Sequence, residues 1–219
     1  MTTAAQIWAE TTEQALLDEA LKLAPVHGWT GRTAALAGKA LGLSAGETEL
    51  LIPHGPTDLA ALLSRRHDAR ALGALADVHA SNLKIRERIR RAVEARLDAS
   101  ASDEPALRRW VGFLALPQNL ALAGRLTWES ADHLWRWAGD TATDENHYTK
   151  RTLLAGILSG AMAVRMTSGR KEALDFVDRR IENVMAFEKW KATTTFRPSQ
   201  WLNDVATRLG KARYGASAD

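Results

Sequence analysis

The chain of 219 residues is long enough to bury the core of one ordinary domain, and with 46% hydrophobic and 25% charged residues its composition suits a helical globular protein. It contains no cysteine, which excludes disulfides and thiolate metal sites. The formal net charge of +3 is too small a surplus to indicate binding to nucleic acid.

Hydrophobic residues recur at helical spacing almost throughout the chain and predict an all-α fold of roughly nine or ten helices, with no strand indicated. Residues 1–10 are expected to be a flexible tail. A capping box of Thr11 with Gln14 predicts that the first helix begins there, and "HGWTG" predicts its end.

Two short helices joined by "LGLS" follow, and residues 11–56 are predicted to form a helix-turn-helix subdomain. Ser44 and Glu47 carry the capping-box signature of the second short helix, which Pro53 closes. This helix, in "SAGETELLI", contains Glu47 and Glu49 but no Lys or Arg, so it would meet the phosphates of DNA with like charge. We therefore expect no nucleic-acid partner and interpret the motif as a structural element.

Residues 57–192 are predicted to form a larger helical domain, which opens with a helix capped by Thr57 or Asp58. Within it, "KIRERIRRAVEARLDA" places apolar residues at four-residue steps, a stripe that faces a core (Ile85, Ile89, Val93 and Leu97). Opposite charges four residues apart, such as Arg90 and Glu94, favour a solvated face for its many charges. Attraction to an anionic lipid or an acidic protein is the alternative.

Pro105 is predicted to open the next helix, which ends at "LPQN". The stretch 120–138 has apolar residues on more than one face, which is typical of a helix that lies centrally in a bundle or lines a cavity. The tryptophans of these helices favour a core but would also suit an apolar ligand (Trp110, Trp128, Trp135 and Trp137). Gly156 and Gly160 would allow another backbone to approach closely, either within the chain or across a homodimer.

The segment "GDTATDENHYTKR", residues 139–151, crowds ionisable residues into one place. Glu145 and His147 lie two residues apart, so on a helix they project in different directions, whereas helical metal ligands sit three or four residues apart. Thr143 is a good N-cap, and Asp144 complements the helix dipole in the first turn. We therefore expect helix capping or a surface for a partner protein here, and no catalysis, cofactor or metal.

Residues 193–198 are predicted to be a linker, and 199–219 an amphipathic helix with a short tail. The apolar face of that helix indicates either docking on the domain or contact with a membrane surface (Trp201, Leu202, Val205 and Leu209). No signal or transit peptide is visible, and the longest uncharged run, residues 152–164, is shorter than the roughly 20 residues of a spanning helix. We expect a cytoplasmic protein of bacterial type that lies peripheral to the inner membrane.

Six stretches occur in order between about residue 11 and residue 191: "HGWT", "LGLS", "KIRERIRRAVEARL", "LPQN", "LWRWAGDTATDENHYTKR" and "FVDRRIENVMAFEK". Together they resemble the Coq-nine family, the lipid-binding accessory proteins of ubiquinone biosynthesis. The resemblance implies a TetR-like helical bundle that forms a homodimer through its last two long helices. It also implies a protein without catalysis of its own, which presents polyprenylated quinone precursors to a di-iron hydroxylase at the membrane.

The resemblance further implies that a hydroxylase-facing surface is formed by Asp140, Thr143, Asp144, Asn146, Tyr148, Lys150 and Arg151. His147 belongs to the same surface, but it departs from relatives that carry the larger Trp at this position.

We expect the lipid to be enclosed by apolar side chains of the helices at 107–116, 120–138 and 153–166, namely Trp110, Phe113, Leu114, Leu134, Trp137 and Met162. The domain at 57–192 would then be the lipid-binding and dimerisation domain. The alternative function is a ligand-responsive transcriptional repressor of the TetR type.

Overall fold

A computed structural model describes residues 3–140 and 145–193, with side chains for 3–140 and 147–186. The described residues form nine α-helices, three short 3₁₀ turns and no strand, which confirms the predicted all-α fold. The helices are α1 (Ala4–His27), α2 (Gly31–Ala40), α3 (Ala45–Leu51), α4 (Pro56–Ala74), α5 (Ile85–Asp98), α6 (Glu104–Leu114), α7 (Leu120–Trp137), α8 (Glu145–Ser168) and α9 (Arg170–Thr193). Residues 1–178 and 179–219 form two compact units, and the second contains the C-terminal part of α9. Within the described ranges, none of the helices combines the length and apolarity that crossing a bilayer requires.

Helix α1 begins earlier than its predicted start. Thr3 and Gln6 form its capping box: the Gln6 backbone N–H donates to Thr3 Oγ1 at 3.3 Å, and the Thr3 N–H donates to Gln6 Oε1 at 2.8 Å. The predicted start at Thr11 is therefore wrong, and residues 4–10, predicted as a tail, are helical. The same Thr-x-x-Gln signature occurs twice, and at its second occurrence the Thr11 hydroxyl donates to the Ile7 carbonyl inside the helix (2.8 Å).

The helix-turn-helix predicted from "LGLS" is present as α2 and α3. Ser44 and Glu47 form the predicted capping box, with the Glu47 N–H donating to Ser44 Oγ at 3.2 Å and the Ser44 N–H donating to Glu47 Oε2 at 2.8 Å. These bonds with Ser44 lower the pKa of Glu47, so the first turn of α3 carries a firmly ionised carboxylate. Gly38 allows the two helices to meet, because a Cβ at this position would overlap Thr48 of α3.

The "HGWT" stretch joins α1 to the rest of the fold. Gly28, with a φ of 70°, ends α1 by donating its N–H to the Ala24 carbonyl at 2.8 Å. Trp29 is buried, and its indole N–H donates to the Ala106 carbonyl of α6 at 3.2 Å. The core therefore runs continuously from α1 and α2 into α4, α6 and α7.

Helix α4 begins at a proline and lacks the predicted side-chain cap. Pro56 is the first helical residue, so Gly55 is the N-cap, and neither Thr57 nor Asp58 holds that position. Asp58 instead accepts the backbone N–H of His54 at 2.7 Å and closes the preceding turn. Proline suits the first helical position, because its ring fixes φ at a helical value and it has no backbone N–H that would need a partner.

The apolar stripe of α5 is confirmed for three of its four members, which are buried (Ile89, Val93 and Leu97). Ile85, in the first turn, is exposed. The predicted solvated face is present, with Arg86, Glu87 and Arg91 exposed, and the predicted pair of Arg90 with Glu94 forms at 2.9 Å. Two of the arginines also reach other elements: Arg88 donates to the Ala138 carbonyl at 2.8 Å, and Arg90 pairs with Asp178 at 2.8 Å.

Helix α7 occupies the central position predicted for it. It packs against α4, α5, α6 and α8, and residues on several of its sides are buried (Leu122, Leu126, Ala131 and Leu134).

The two glycines of α8 differ in their surroundings. A Cβ at Gly160 would lie 2.6 Å from Cζ of Phe176, whereas a Cβ at Gly156 would meet nothing within 4 Å. Gly160 thus serves packing within the chain.

Candidate functional site

A cavity of about 260 Å³ lies between α4, α5, α6, α7 and α8. Its walls are mostly apolar, and they include three of the residues expected to enclose a lipid, Trp110, Leu114 and Met162. The indole N–H of Trp110 is fixed by the Ala60 carbonyl at 3.0 Å, so the ring forms a rigid wall. Leu120, which is 58% exposed, also lines the cavity and marks its mouth. This arrangement suits an apolar ligand that enters from one side.

Three of the expected lipid residues do not line this cavity. Leu134 is fully buried, and Trp137 is half-buried with its indole N–H directed to the Leu75 carbonyl at 3.4 Å. Leu134 and Trp137 lie about one and two helical turns beyond Ser130, the last α7 residue in the cavity wall, which is roughly 6 and 10 Å at 1.5 Å per residue. Phe113 is half-buried against the core, on a different side of α6 from its neighbour Leu114.

The inner end of the cavity is polar. Ser64 of α4, Arg96 of α5 and Ser130 of α7 line it there, and together with Asp68 they form what we call the inner polar cluster. Arg96 donates from Nε to Asp68 Oδ1 at 2.5 Å and from Nη2 to Ser64 Oγ at 3.5 Å. The Ser130 hydroxyl donates to the Asp68 carboxylate, with its oxygens at 2.7 and 2.9 Å. All four residues are buried.

This cluster is not among the sites predicted from the sequence, although α5 carries a signal for it. Arg96 lies seven residues after Ile89 and next to Leu97, so it falls on the buried stripe of the helix and not on its solvated face. A charge on an apolar stripe requires a partner from another helix, which Asp68 supplies.

The segment at 139–151 contains a buried ion-pair cluster. Arg151 is 1% exposed and donates from Nε to Asp132 at 3.0 Å and from Nη1 to Asp140. Lys150 pairs with the second oxygen of Asp140 at 2.5 Å, and its Nζ lies 5.5 Å from the ring centroid of Trp135. The charges at Asp140, Lys150 and Arg151 therefore hold α8 against α7, and the Arg151 side chain does not reach the surface.

Tyr148 is the part of this segment that faces solvent, with 64% of its surface exposed. Its ring centroid lies 5.2 Å from that of His147 in an edge-on arrangement and 6.1 Å from that of Trp128. These contacts hold the tyrosine ring within a small aromatic group at the surface of α7 and α8. Such a group is typical of a protein contact.

Other expected site residues lie outside the described part of the chain. Thr143 and Asp144 are among them, as are the residues expected to touch a membrane (Trp201, Leu202, Val205 and Leu209). Asn146 lies in the first turn of α8, and its side chain is not described. Among the described residues, no group of three or more His, Asp or Glu side chains is arranged to hold a metal ion.

Comparison with known proteins identifies two likenesses. Residues 120–188, which include α7, α8 and most of α9, match the COQ9 family model. The chain is also 32% identical over 190 residues to "Ubiquinone biosynthesis protein COQ9, mitochondrial" of Rattus norvegicus and 30% identical over 190 residues to the protein of the same name of Homo sapiens. Each match covers 80% of this chain but only 59% and 58% of the relatives, so the chain spans about three-fifths of the length of the proteins it matches.

The fold is similar to that of a TetR transcriptional regulator from Nitrosomonas europaea, with a TM-score of 0.62 over 78% of this chain and 97% of the regulator. At 18% sequence identity this likeness concerns the fold alone. The resemblance inferred from the sequence is thereby confirmed: residues 120–188 match the COQ9 family model, the fold is TetR-like, and the similarity to COQ9 proteins extends over 80% of the chain.

Proposed function

We propose that this protein acts in ubiquinone biosynthesis as a non-catalytic, lipid-binding accessory protein. It binds a polyprenylated quinone precursor in the cavity lined by the five helices α4 to α8 and delivers it to a di-iron hydroxylase at the membrane. The similarity to COQ9 proteins supports the pathway, and the cavity is the observation that carries the lipid binding. Burial of apolar surface in the cavity contributes about 25 cal/mol per Å², which offsets the contacts that the buried part of the lipid loses when it leaves the bilayer.

The contact with the hydroxylase, in this proposal, centres on Tyr148 and the adjacent His147. The charged residues at 140, 150 and 151 act indirectly, because their ion pairs fix the first turns of α8 from which Tyr148 projects. An exposed aromatic side chain on a rigid helix supplies contact area at a small entropic cost, which is why tyrosine is frequent at interfaces.

Two further contacts belong to the proposal. The C-terminal segment with Trp201, Leu202, Val205 and Leu209 touches the membrane surface, since the sequence predicts an amphipathic helix there, with the tryptophan near Arg208 and Lys211. A homodimer forms through α8 and α9, where Gly156 leaves open space on the surface of α8. The protein is thus peripheral to the membrane that holds its ligand.

The lipid binding is tested by what the protein carries when it is purified from its native host. Organic extraction followed by mass spectrometry should find an isoprenoid quinone or one of its precursors. Ala123→Phe should remove most of that lipid, because Ala123 is part of the cavity wall. Ala121→Phe is the matched control, since Ala121 is exposed on the same helix and does not line the cavity. Reproducible absence of such lipids from the wild-type protein would contradict the proposal.

A further inference from the structure

The inner polar cluster has an unused hydrogen-bond donor. Arg96 is 4% exposed, and its Nη1 is buried without a hydrogen-bond partner in the part of the chain that the structure describes. A buried N–H without an acceptor is unfavourable, and native proteins rarely leave one. Because the Arg96 side chain lines the cavity, a small shift of its guanidinium group toward the cavity brings Nη1 within reach of an acceptor on a ligand there.

The charge of the cluster shows which kind of acceptor fits. Asp68 lies 2.5 Å from Arg96 Nε and balances its charge, so a ligand need not bring a negative charge of its own. A neutral oxygen, such as a quinone carbonyl or a phenol, is sufficient to accept the N–H. An isoprenoid tail has no such atom.

The size of the cavity leads to the same part of the ligand. A protein cavity of about 150 Å³ suffices for benzene, and sites for drug-sized molecules span roughly 300–1,000 Å³. A cavity of about 260 Å³ therefore has room for one substituted ring and not for a long tail.

We propose, on the basis of the lipid binding inferred above, that the oxygen-bearing ring enters the cavity first, accepts a hydrogen bond from Arg96 Nη1, and leaves the isoprenoid tail to exit past Leu120. In this orientation the ring lies between the wall at Trp110 and the inner polar cluster, away from solvent. Chemistry on the ring therefore requires that the ring be released. The protein is therefore a carrier that releases its ligand to an enzyme. The ring is not exposed to that enzyme while the ligand remains bound in the cavity.

Two ring probes with the same four methyl groups test the orientation: the tetramethylquinone duroquinone, which has two carbonyl oxygens, and the tetramethylbenzene durene, which has none. Equilibrium dialysis gives their affinities for the wild-type protein and for Arg96→Met with Asp68→Asn, a double variant that removes the donor without leaving a buried charge unpaired. We expect duroquinone to bind about tenfold more weakly to this variant, which is about 1.4 kcal/mol, and durene to bind equally well. Arg90→Met with Asp178→Asn is the matched control, because it removes an ion pair of 2.8 Å from the same helix away from the cavity.

A second measurement uses the unmodified protein and so does not depend on the variant folding. A hydrogen bond to one carbonyl of duroquinone lowers its infrared stretching frequency and makes the two carbonyls inequivalent. We expect two carbonyl bands for the bound quinone. A single unshifted band, or equal duroquinone affinity in all three proteins, would overturn the proposal and assign Arg96 Nη1 to a buried water.

The isoprenoid hydrocarbon farnesene separates this proposal from the proposed function. If the wild-type protein binds farnesene but not duroquinone, the tail enters first, so the orientation is wrong while lipid binding stands. If it binds neither probe, the proposed function itself fails. Binding of duroquinone with the Arg96 dependence described above supports both.

Discussion

Asp140 joins two cations, Lys150 at 2.5 Å and the buried Arg151, and so ties the end of α7 to the first turns of α8. Burial disfavours the ionised form of Asp140, but its hydrogen bonds with Lys150 and Arg151 outweigh that effect and hold its pKa below the ordinary value. Since the pKa is lower in the folded protein, the unfolded chain binds a proton first as the pH falls. The stability that Asp140 contributes is therefore present at neutral pH and is lost as the pH falls through the depressed pKa.

We expect Asp140→Asn to lower the free energy of unfolding at neutral pH by about 3 kcal/mol, because it leaves the charge of Arg151 buried with one fewer carboxylate. The variant should also lose less stability than the wild type on acidification below about pH 4. Urea unfolding at several pH values measures both effects. Asp178→Asn, which removes an exposed carboxylate from Arg90, is the control and should cost no more than about 1 kcal/mol. Identical acid sensitivity of Asp140→Asn and the wild type would show that the Asp140 pKa does not contribute.

Among the elements, α8 offers a matched pair of glycines one helical turn apart. Gly156→Ala should stabilise the fold of the single chain by up to about 1 kcal/mol, because within one chain its Cβ meets open space and alanine favours the helix. Gly160→Ala should be less stable than Gly156→Ala by about 1–3 kcal/mol, because its Cβ would lie 2.6 Å from the ring of Phe176 and force the ring to move. Thermal unfolding measures the difference, and Phe176→Leu should reduce it by making room. Equal stability of the two variants would mean that α8 and α9 adjust without cost.

The helices also show which features of a sequence predict structure and which do not. Local signals predicted the helix-turn-helix, the end of α1 at Gly28 and the central place of α7, because caps and apolar spacing act over a few residues. They did not place the start of α1, where Thr3 and Thr11 carry the same signature. They also could not show that Arg96 meets Asp68, since these residues belong to different helices and the pairing depends on how the helices pack.

At the scale of the whole molecule, the position of a predicted lipid-binding residue along its helix decides whether that residue lines the cavity. Trp110, Leu114 and Met162 line the cavity because they lie on the facing sides of α6 and α8, while Leu134 and Trp137 lie beyond Ser130, the last residue of α7 in the wall. Apolar character identified three of the five helices around the cavity, α6, α7 and α8, and did not indicate α4 and α5. The length of each helix and its packing decided which of their residues form the wall.

The proposed activity assigns two recognition tasks to separate parts of the molecule, and this separation is testable. Removal of residues 197–219 should reduce binding to anionic phospholipid vesicles in a sedimentation assay while association with the hydroxylase in detergent is retained. Tyr148→Ala should do the reverse, because Tyr148 is exposed on α8 and its loss removes a contact surface without opening the core. Thermal unfolding provides the control, and the unfolding temperature of Tyr148→Ala should match that of the wild type. If Tyr148→Ala lowers both hydroxylase association and thermal stability, the residue is structural. If removal of residues 197–219 leaves vesicle binding unchanged, membrane contact belongs to another part of the chain.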